Sequence, residues 1–505
     1  MINVNLTSWQ FDSPLDDIDL TRKMQVMRKE LDYACHLSVG YITIKIGRFS
    51  NIQCISQILA EFHSQTKLRA GILIMAEDPT VDSHQFDQFL GLMISYFGEI
   101  TLLCDNIKNI SFGFLLGTSQ IHFSTIESLL TVKWLSVIVC ADNFHPNMKG
   151  VPILPKPMKG VIRTLFMHKN TKVIVRTPEI TENISQYINY IRRVETETQN
   201  SARFDPFEHY EDVLQTPLQP LAKNLESFIY EVFESDPIKY QQYEKALELY
   251  FNDCVQKGKA FINLLLIGAG RGPLIDCVIR AAAQNNVTFH LVALEKNENA
   301  FPTELLGSFG DNELSPECLE NANRFTTDET VFIPSSYTSY LCPVSAPVVH
   351  DNIGQFRGST GPDPFQSPYV VYLYTSQRLS SPEICFTFEH YVNGSRYCGD
   401  RYKSIKFTAN VSGIVHGFAG YFSATLYKDV CLSINPQSET PKMFSWLPFF
   451  FPIINPFRIE KGRAVTISIW RRTSSTYVWY EWCIDSPFIS PIHNSAGKHF
   501  HMLLN

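Results

Sequence analysis

Over the first 195 residues, short apolar runs alternate with segments that repeat with the helical period. The apolar runs predict strands at Tyr41–Ile46, Gly71–Ala76, Ser111–Leu116, Leu135–Cys140 and Lys172–Arg176. The amphipathic segments between them predict helices that include Ile52–Phe62, His84–Phe97 and Met158–His168. Strands that alternate with helices indicate parallel βα units. A closed β/α barrel needs eight strands. The five found here predict either an open α/β layer or a barrel that lacks its beginning.

The pattern changes twice further along the chain. The stretch 196–220 is polar and contains three prolines, which predicts a linker. A helical pair follows, and then a strand, a glycine turn, a helix and a strand, which together form one βαβ unit. These elements are predicted at Leu221–Phe233, Pro237–Val255, Ala260–Ile267, Pro273 to about Gln284, and Val287–Leu294.

From about Phe332 onward, apolar and polar residues alternate with a period of two, as in antiparallel strands. Examples are Cys385–His390, Ser404–Ala409, Ala464–Trp470 and Tyr477–Ile484, with turns at Asn393-Gly394 and Lys461-Gly462. This part is expected to form a barrel or a sandwich. The predicted domains are therefore a β/α domain at 1–195, a linker at 196–220, an α/β core at 221–327 and an all-β domain at 328–505.

Composition narrows the class of protein. Hydrophobic residues make up 45% of the 505 residues and aromatic residues 13%, which indicates a globular chain. The formal net charge of −7 argues against general nucleic-acid binding. The 12 cysteines include no CxxC pair and Met1–Pro14 has no secretory pattern, so we expect free thiols in the cytosol or nucleus. The most apolar run, Met443–Phe457, is too short and proline-broken to span a membrane.

The glycine turn of the central βαβ unit is the first candidate site. It reads LLLIGAGRGP over Leu264–Pro273, with Gly268, Gly270 and Gly272 between the strand and the helix. Glu295 ends the following strand, where a carboxylate can accept hydrogen bonds from both ribose hydroxyls. The spacing is G-x-G-x-G, which differs from the pattern of dinucleotide dehydrogenases. Turn, helix and acid together favour an adenosine-containing cofactor, and the spacing indicates S-adenosylmethionine.

The stretch Thr303–Cys318, TELLGSFGDNELSPEC, is the second candidate. Glu304 and Glu313 stand nine positions apart at the two ends of a loop that contains glycine and asparagine. Two convergent carboxylates suit the arginine guanidinium, which stays protonated and presents a rigid fork of N–H donors. Taken alone, the two glutamates favour an acidic surface loop over such a site.

Several motifs together decide between these interpretations. GAGRGPL, ALEKN, ELLGSFGDNELSPECL, YEVFESDPIKY, RYC, HGFAGYF, MFSWLPFFFPI, VWYEW and IHN resemble the symmetric (type II) protein arginine methyltransferases of the protein arginine methyltransferase 5 family. The resemblance is close from about Tyr210 to Asn494 and looser before it. It implies an N-terminal TIM-type β/α barrel, incomplete here, a Rossmann-like methyltransferase core and a C-terminal antiparallel β-barrel.

The same resemblance implies roles for individual residues. Glu304 and Glu313 would clamp the substrate guanidinium and leave one terminal nitrogen a lone pair for attack on the sulfonium methyl. Phe233 would favour symmetric product, and Trp446 would pack on the guanidinium. The implied substrate-binding residues are Phe233, Trp446, Leu305 and Ser445. The implied cofactor-binding residues are Tyr230, Lys239, Tyr240, Gly268, Gly270, Gly272 and Glu295. No metal is implied, and His416 and Cys318 are assigned packing roles.

The chain departs from the family pattern at two places. The family's core has a further helix and further strands between the strand ending at Glu295 and the double-glutamate loop, where this chain has only Lys296–Thr303. A single βαβ crossover needs at least about 10–12 residues, so those elements cannot be present. The N-terminal domain also lacks the barrel's opening strands. We therefore expect this chain to bind S-adenosylmethionine weakly and to methylate little.

Two functions remain open from the sequence. One is an active arginine methyltransferase for Arg/Gly-rich proteins, such as histone tails and splicing proteins. The other is a catalytically impaired scaffold that keeps its interaction surfaces, while a different adenosine-cofactor enzyme is a more distant third. The resemblance also implies a WD-repeat β-propeller partner and a homo-oligomer. The charge and the broken apolar run favour neither a direct nucleic-acid partner nor a membrane partner.

Overall fold

The computed structural model describes most of the chain. The described residues are 3–6, 17–37, 41–48, 50–66, 71–76, 85–103, 110–117, 121, 123–168, 170–177, 184–201, 208–219, 222, 234–259, 261–295, 306–322, 325–327, 329–357, 363–390 and 399–504.

The N-terminal region forms a parallel sheet of six strands that lie side by side in chain order. The strands are β1 (Asn3–Leu6), β2 (Tyr41–Ile46), β3 (Gly71–Ala76), β4 (Ile110–Leu116), β5 (Leu135–Cys140) and, after a small hairpin of β6 (His145–Pro146) and β7 (Pro152–Ile153), β8 (Thr171–Arg176). Parallel strands in sequential order are the arrangement of a β/α barrel. All five predicted strands are present, but the described sheet has six strands, so the predicted number was wrong. The strand it missed, NVNL, is only four residues long and half asparagine, so it has no apolar run to detect.

Helices cover this sheet as predicted from the amphipathic segments. They are α1 (Asp17–His36), α2 (Ile52–Thr66), α3 (Phe86–Leu103), α4 (Phe123–Leu130), α5 (Lys156–Phe166) and α6 (Ile184–Ser201). In α5, Met158, Ile162 and Leu165 are buried, and their spacing of four and three positions places them on one face of the helix. The helices and the sheet share one apolar core.

The central βαβ unit is confirmed. Its elements are α7 (Pro237–Gln256), β9 (Phe261–Ile267), α8 (Pro273–Asn285) and β10 (Thr288–Leu294). Strands β9 and β10 pair in parallel, and in the described part of the chain their sheet has these two strands. One sheet face carries the buried Ile262, whereas Leu265, Val292 and Leu294 on the other face are 40%, 43% and 47% exposed. Of the predicted helix Leu221–Phe233, only Ala222 lies within the described residues.

The last third is antiparallel, as predicted, and its described strands form two sheets. A short helix, α9 (Ser315–Ala322), precedes it, and α10 (Pro347–Gln355) lies within it. The strands are β11 (Ser336–Ser345), β12 (Tyr369–Val370), β13 (Gln377–Arg378), β14 (Glu383–Glu389), β15 (Arg401–Thr408), β16 (Gly413–Tyr427), β17 (Val430–Ser433), β18 (Phe449–Ile459), β19 (Ala464–Thr473), β20 (Tyr477–Ser486) and β21 (Met502–Leu503).

The larger sheet has the order β12-β18-β16-β11-β13, with β14 paired to β11 and β17 to β16. The smaller sheet has the order β15-β19-β20-β21. Gly462 lies in the turn before β19 with φ +81°. The predicted turn at Asn393-Gly394 lies outside the described residues.

Residues 211–219 of the predicted linker are bound to the C-terminal domain, whereas residues 196–201 belong to α6. Both backbone hydrogen bonds of a β-bridge join Gln215 and Val370, at 3.1 and 2.9 Å. Asp212 is buried, and its carboxylate accepts hydrogen bonds from the backbone N–H groups of Tyr374 (2.9 Å) and Thr375 (3.1 and 3.0 Å). This stretch is therefore held in place by the C-terminal domain. The domain boundaries proposed from the sequence stay predictions.

Two further observations concern the chain as a whole. Within the described ranges, no helix has both the length and the apolar character to cross a bilayer. The ten described cysteines are all free thiols.

Candidate active site

The glycine turn and Glu295 lie together at one end of the two-stranded sheet. Gly268, Gly270 and Gly272 have φ values of +77°, +63° and +102°, which side chains other than glycine rarely adopt. The N–H of Gly268 donates to the carbonyl of Leu294 at 3.0 Å, and the N–H of Gly270 donates to Glu295 Oε2 at 3.4 Å. The structure thus brings together the four residues that the sequence assigned to one side of a cofactor site.

The N-terminus of α7 supplies the next two predicted residues. The Lys239 ammonium is buried, 4.7 Å from the ring centroid of Tyr240 and 5.5 Å from that of Trp446. Cys277 Sγ, on α8, lies 3.6 Å from the backbone carbonyl of Tyr240. Lys239 and Tyr240 therefore lie between the helix that follows the glycine turn and the predicted substrate aromatic. Their cofactor-binding roles stay predictions.

Asp236 links the N-terminus of α7 to residues 444 and 445, a role that the sequence did not predict. It is fully buried, and its Oδ1 accepts hydrogen bonds from the N–H groups of Ile238 and Lys239, which caps α7. Its Oδ2 accepts from the N–H of Phe444 (2.8 Å) and from the N–H and hydroxyl of Ser445 (2.9 and 2.8 Å). The Asp-Pro pair before an apolar helix was a usable signal for the cap. The bonds to 444 and 445 had no local signal, and the substrate-binding role of Ser445 stays a prediction.

Trp446 joins the C-terminal domain to the double-glutamate loop. Its indole Nε1–H donates to the carbonyl of Leu306 at 2.7 Å, and the contact is buried. Its ring meets Phe422 edge-on, with centroids 5.1 Å apart. The structure therefore places Trp446 beside the loop that carries Glu313.

The loop itself is rigidly folded. Gly307 and Gly310 exchange two backbone hydrogen bonds, of 3.1 and 2.8 Å, across a tight turn. Gly310 has φ +84°, and a Cβ there would lie 2.8 Å from the ring of Tyr337, so only glycine fits. Phe309 is fully buried, and its N–H donates to Asn312 Oδ1 at 2.6 Å.

Glu313 lies three positions after this turn and is half-buried. Leu314 after it has φ +67°, and α9 begins at Ser315, whose hydroxyl donates to the Tyr337 hydroxyl at 2.8 Å. The neighbouring carboxylates, Asp311 and Glu317, bind Arg471. Sequence reasoning missed that pairing, because Arg471 lies 160 positions from Asp311. Burial raises the pKa of Cys318 to about 12, so this thiol is a poor nucleophile, in keeping with a packing role.

Four predicted site residues lie outside the described residues: Tyr230, Phe233, Glu304 and Leu305. Their roles stay predictions. Contacts among the described residues connect the glycine turn with the loop that carries Glu313. Arg271 of the turn lies 3.4 Å from Glu234, two positions before Asp236, and the contacts of Asp236 and Trp446 complete this connection.

Comparison with known proteins accounts for nearly the whole chain. Three family sequence profiles match: the PRMT5 TIM barrel domain at residues 7–197, the PRMT5 arginine-N-methyltransferase at 200–303 and again at 302–333, and the PRMT5 oligomerisation domain at 336–502. Protein arginine N-methyltransferase 5 of Xenopus laevis is 33% identical over 552 residues, which covers 98% of this chain and 87% of the frog protein. The chain belongs to the protein arginine methyltransferase 5 family.

Two further relatives of the same family have similar sequence identities to this chain. Protein arginine N-methyltransferase 5 of Oryza sativa subsp. indica is 34% identical over 445 residues, covering 75% of this chain and 68% of the rice protein. Protein arginine N-methyltransferase skb1 of Schizosaccharomyces pombe is 34% identical over 422 residues, covering 71% of this chain and 66% of the S. pombe protein. A solved Trypanosoma brucei PRMT1 enzyme-prozyme heterotetrameric complex with AdoHcy gives a TM-score of only 0.41 at 15% identity, over 54% of this chain and 98% of that chain.

Family membership confirms the fold class, the enzyme class and the cofactor predicted from the sequence. Proteins of this family are arginine N-methyltransferases that use S-adenosylmethionine. The methyltransferase profile matches in two pieces that meet at residues 302 and 303, within the short segment before Glu304. The frog alignment extends over 552 positions, 47 more than the 505 residues of this chain, so at least that many positions have no counterpart here.

The described residues fit one side of S-adenosylmethionine. A turn of three glycines exposes backbone beside the Glu295 carboxylate, and α8 begins at this turn without a side-chain cap. This arrangement suits the ribose hydroxyls and the charged tail of the cofactor. In the described part of the chain, no strand beyond β9 and β10 completes the sheet, so the fit extends to that side alone.

Proposed function

We propose that this chain recognises arginine in Arg/Gly-rich proteins, histone tails and splicing proteins among them, and forms symmetric dimethylarginine. The observation that carries the proposal is the 2.7 Å bond from Trp446 Nε1 to the Leu306 carbonyl, which holds an aromatic ring against the loop of Glu313. An aromatic face beside a carboxylate is a suitable environment for a guanidinium, which stacks on rings and bonds carboxylates in a planar fork.

Each side chain has a distinct task in this proposal. Glu313 and Glu304 accept N–H bonds from the guanidinium and concentrate its positive charge near themselves, so that one terminal nitrogen retains its lone pair. Trp446 limits the tilt of the guanidinium plane, and its own orientation depends on Asp236 through Ser445. The cofactor, when bound, supplies an electrophilic methyl group. Holding the nitrogen in line with that group accounts for a large part of the rate, because orientation removes most of the entropic cost.

Product analysis tests the proposal. An Arg/Gly-rich peptide is incubated with the intact chain and S-adenosylmethionine, and fragment-ion mass spectrometry distinguishes symmetric from asymmetric dimethylarginine. Symmetric product supports the proposal, and purely asymmetric product refutes the symmetric assignment. The variant Phe233→Met should change the product mixture more than the total rate, because the ring is proposed to shape the space around the receiving nitrogen.

A second function, that of a catalytically impaired scaffold, is favoured by a separate observation. Leu265, Val292 and Leu294 leave one face of the β9–β10 sheet exposed, and the methyltransferase profile breaks at residues 302 and 303, eight positions after β10 ends in the sequence. A sheet face this apolar is normally covered in an α/β core. Titration calorimetry with S-adenosylmethionine separates the two functions. Micromolar binding supports the enzyme, and absence of binding together with retained peptide binding supports the scaffold.

The remaining assignments belong to the same proposal. We expect a homo-oligomer, a WD-repeat β-propeller partner on the N-terminal domain, and residence in the cytoplasm and nucleus. The match of residues 336–502 to an oligomerisation domain supports the first of these. Light scattering after size-exclusion chromatography tests it directly, since a mass near 57.7 kDa would indicate a monomer.

A further inference from the structure

The acidic loop already binds one arginine, and that arginine is part of the protein. Arg471, on β19, is fully buried. Its Nε donates to Asp311 Oδ2 at 2.5 Å, while Nη1 and Nη2 donate to the two carboxylate oxygens of Glu317 at 2.8 and 2.9 Å. One guanidinium therefore holds the loop two positions before Glu313 and four positions after it.

Surrounding groups fix this cluster further. The hydroxyl of Tyr480 donates to Asp311 Oδ2 at 2.7 Å, and Nη1 of Arg471 also donates to the carbonyl of Gly399 at 2.9 Å. The guanidinium carbon lies 5.5 Å from the ring centroid of Phe388. Removal of one partner from a buried ion cluster leaves an uncompensated charge, so such clusters tolerate little displacement.

The geometry of the chain transmits this constraint to Glu313. Two residues of extended chain span at most about 7 Å, so the Glu313 backbone cannot move far while Asp311 is held. On the other side, Glu317 lies in the first turn of α9, and its bidentate pair with Arg471 fixes the start of that helix. Misplacement of a substrate-binding group by about 1 Å is enough to cost two orders of magnitude in function.

We infer that Arg471 is a positioning residue for arginine recognition, which acts by fixing the loop 306–317 and thereby the place of Glu313. The inference rests on the proposed function of Glu313. By binding Asp311 and Glu317 within the fold, Arg471 also prevents two buried carboxylates from competing with Glu313 for the substrate guanidinium.

The chain offers a matched pair of substitutions. Arg471→Lys keeps the charge but loses the planar fork, because one ammonium cannot make the same bonds to both carboxylates. Arg472→Lys is the control: Arg472 is the next residue on the same strand, its side chain is 42% exposed, and its Nε lies 3.8 Å from Glu481. Both changes are made in the full-length chain.

Three quantities are measured for each chain. They are the dissociation constant of an Arg/Gly-rich peptide, that of the same peptide with lysine in place of arginine, and hydrogen exchange of the segments 306–322 and 261–295. For Arg471→Lys we expect at least tenfold weaker binding of the arginine peptide and faster exchange in 306–322, with unchanged exchange in 261–295. For Arg472→Lys we expect all values within twofold of the unmodified chain.

Other results overturn the inference. The inference is overturned if a folded Arg471→Lys chain binds the arginine peptide within twofold of the unmodified chain. It is also overturned if exchange increases equally in both segments, because that result would indicate a general structural role for Arg471. If Arg471→Lys does not fold, the triple variant Asp311→Asn, Glu317→Gln, Arg471→Met removes the buried charges together. Retention of arginine-peptide affinity in that variant would also overturn the inference.

Failure of the proposed function gives a different result. If the unmodified chain binds the arginine and lysine peptides equally, the proposed function fails. Exchange of 306–322 in Arg471→Lys then still decides whether Arg471 fixes the loop, and unchanged exchange overturns the inference.

Discussion

The indole N–H of Trp446 donates a 2.7 Å hydrogen bond to the backbone carbonyl of Leu306, across 140 positions of sequence. This bond joins the C-terminal domain to the acidic loop of the methyltransferase core. The proposed arginine site is therefore composed of residues from two domains, and neither domain alone holds both the aromatic ring and Glu313.

Trp446→Phe removes the indole donor and keeps an aromatic ring. The buried Leu306 carbonyl then loses a partner, so we expect a loss of about 1–3 kcal/mol in stability and at least tenfold weaker binding of an Arg/Gly-rich peptide. Thermal unfolding and fluorescence anisotropy measure the two effects. Trp479→Phe is the control, because its indole N–H donates to Glu481 away from this loop. Equal effects of both substitutions would refute the prediction.

Asp236→Ala removes the cap of α7 and the acceptor of three donors at 444 and 445. Loss of a cap costs about 0.5–2 kcal/mol, and unsatisfied buried donors add to it, so destabilisation above about 2 kcal/mol is expected. Asp363→Ala, which removes a cap with a single bond to the N–H of Phe365, should cost less. Denaturant unfolding compares them, and a smaller effect at Asp236 than at Asp363 would contradict this account.

Glu313→Gln keeps the shape of the side chain and removes its charge. We expect methyl transfer to fall by about 100-fold or more, with cofactor affinity nearly unchanged, since the lost interaction is with the guanidinium. The same result is expected for Glu304→Gln. Glu320→Gln, at an exposed position of α9, is the matched control. Where turnover is too slow to measure, peptide affinity serves instead, and a Glu304→Gln, Glu313→Gln double variant that methylates normally would exclude this mechanism.

The buried histidines predict a dependence of stability on pH. Burial lowers the pKa of His416 to about 3, aided by His350, and lowers that of His390 to about 4. The folded chain therefore binds fewer protons than the unfolded chain between about pH 6.5 and 4, and stability falls as the pH falls through this range. For His416 alone, the loss at pH 5 is about 2 kcal/mol.

His416→Asn tests this pH dependence. The asparagine oxygen can replace Nδ1 as acceptor for the N–H of Ala346, which donates at 3.2 Å in the native chain. The variant should lose less stability than the native chain between pH 7 and pH 5, as measured by denaturant unfolding. His209→Asn, at an exposed position, should leave the slope unchanged. Identical slopes in the native and His416→Asn chains would show that His416 does not contribute.

The short segment before Glu304 predicts weak cofactor binding. Removal of strands beside β9 and β10 leaves the glycine turn and Glu295 without the opposite wall of an adenine pocket. We therefore expect S-adenosylmethionine to bind roughly 100-fold more weakly than to the Xenopus laevis relative, equivalent to about 2.7 kcal/mol. Parallel titration calorimetry of both proteins measures the difference, and comparable affinities, with this chain verified by intact mass, would show that the shortened segment is tolerated.

Local sequence patterns were sufficient to predict most of the helices and strands and the glycine turn. Helix and strand assignments depend on residues within one element. The predicted strand Tyr41–Ile46 is present with the same bounds, and the predicted Ala260–Ile267 is present as Phe261–Ile267. The approach of Gly270 to Glu295 was also predictable, because parallel strands joined by one helix end at the same edge of the sheet. The four-residue strand Asn3–Leu6 was not predicted, since two of its residues are asparagines, and neither were the two-residue strands β6 and β7.

The partners of individual polar side chains required the tertiary structure. Asp311 and Glu317 looked like members of one acidic loop, yet both are bound by Arg471, 160 and 154 positions away. Asp236 was recognisable as a helix cap, but its bonds to Ser445 span 209 positions. Periodicity records which residues are buried, whereas the partner of a buried charge depends on which distant elements pack against it. Only the folded chain therefore shows that Asp311 and Glu317 are paired with Arg471.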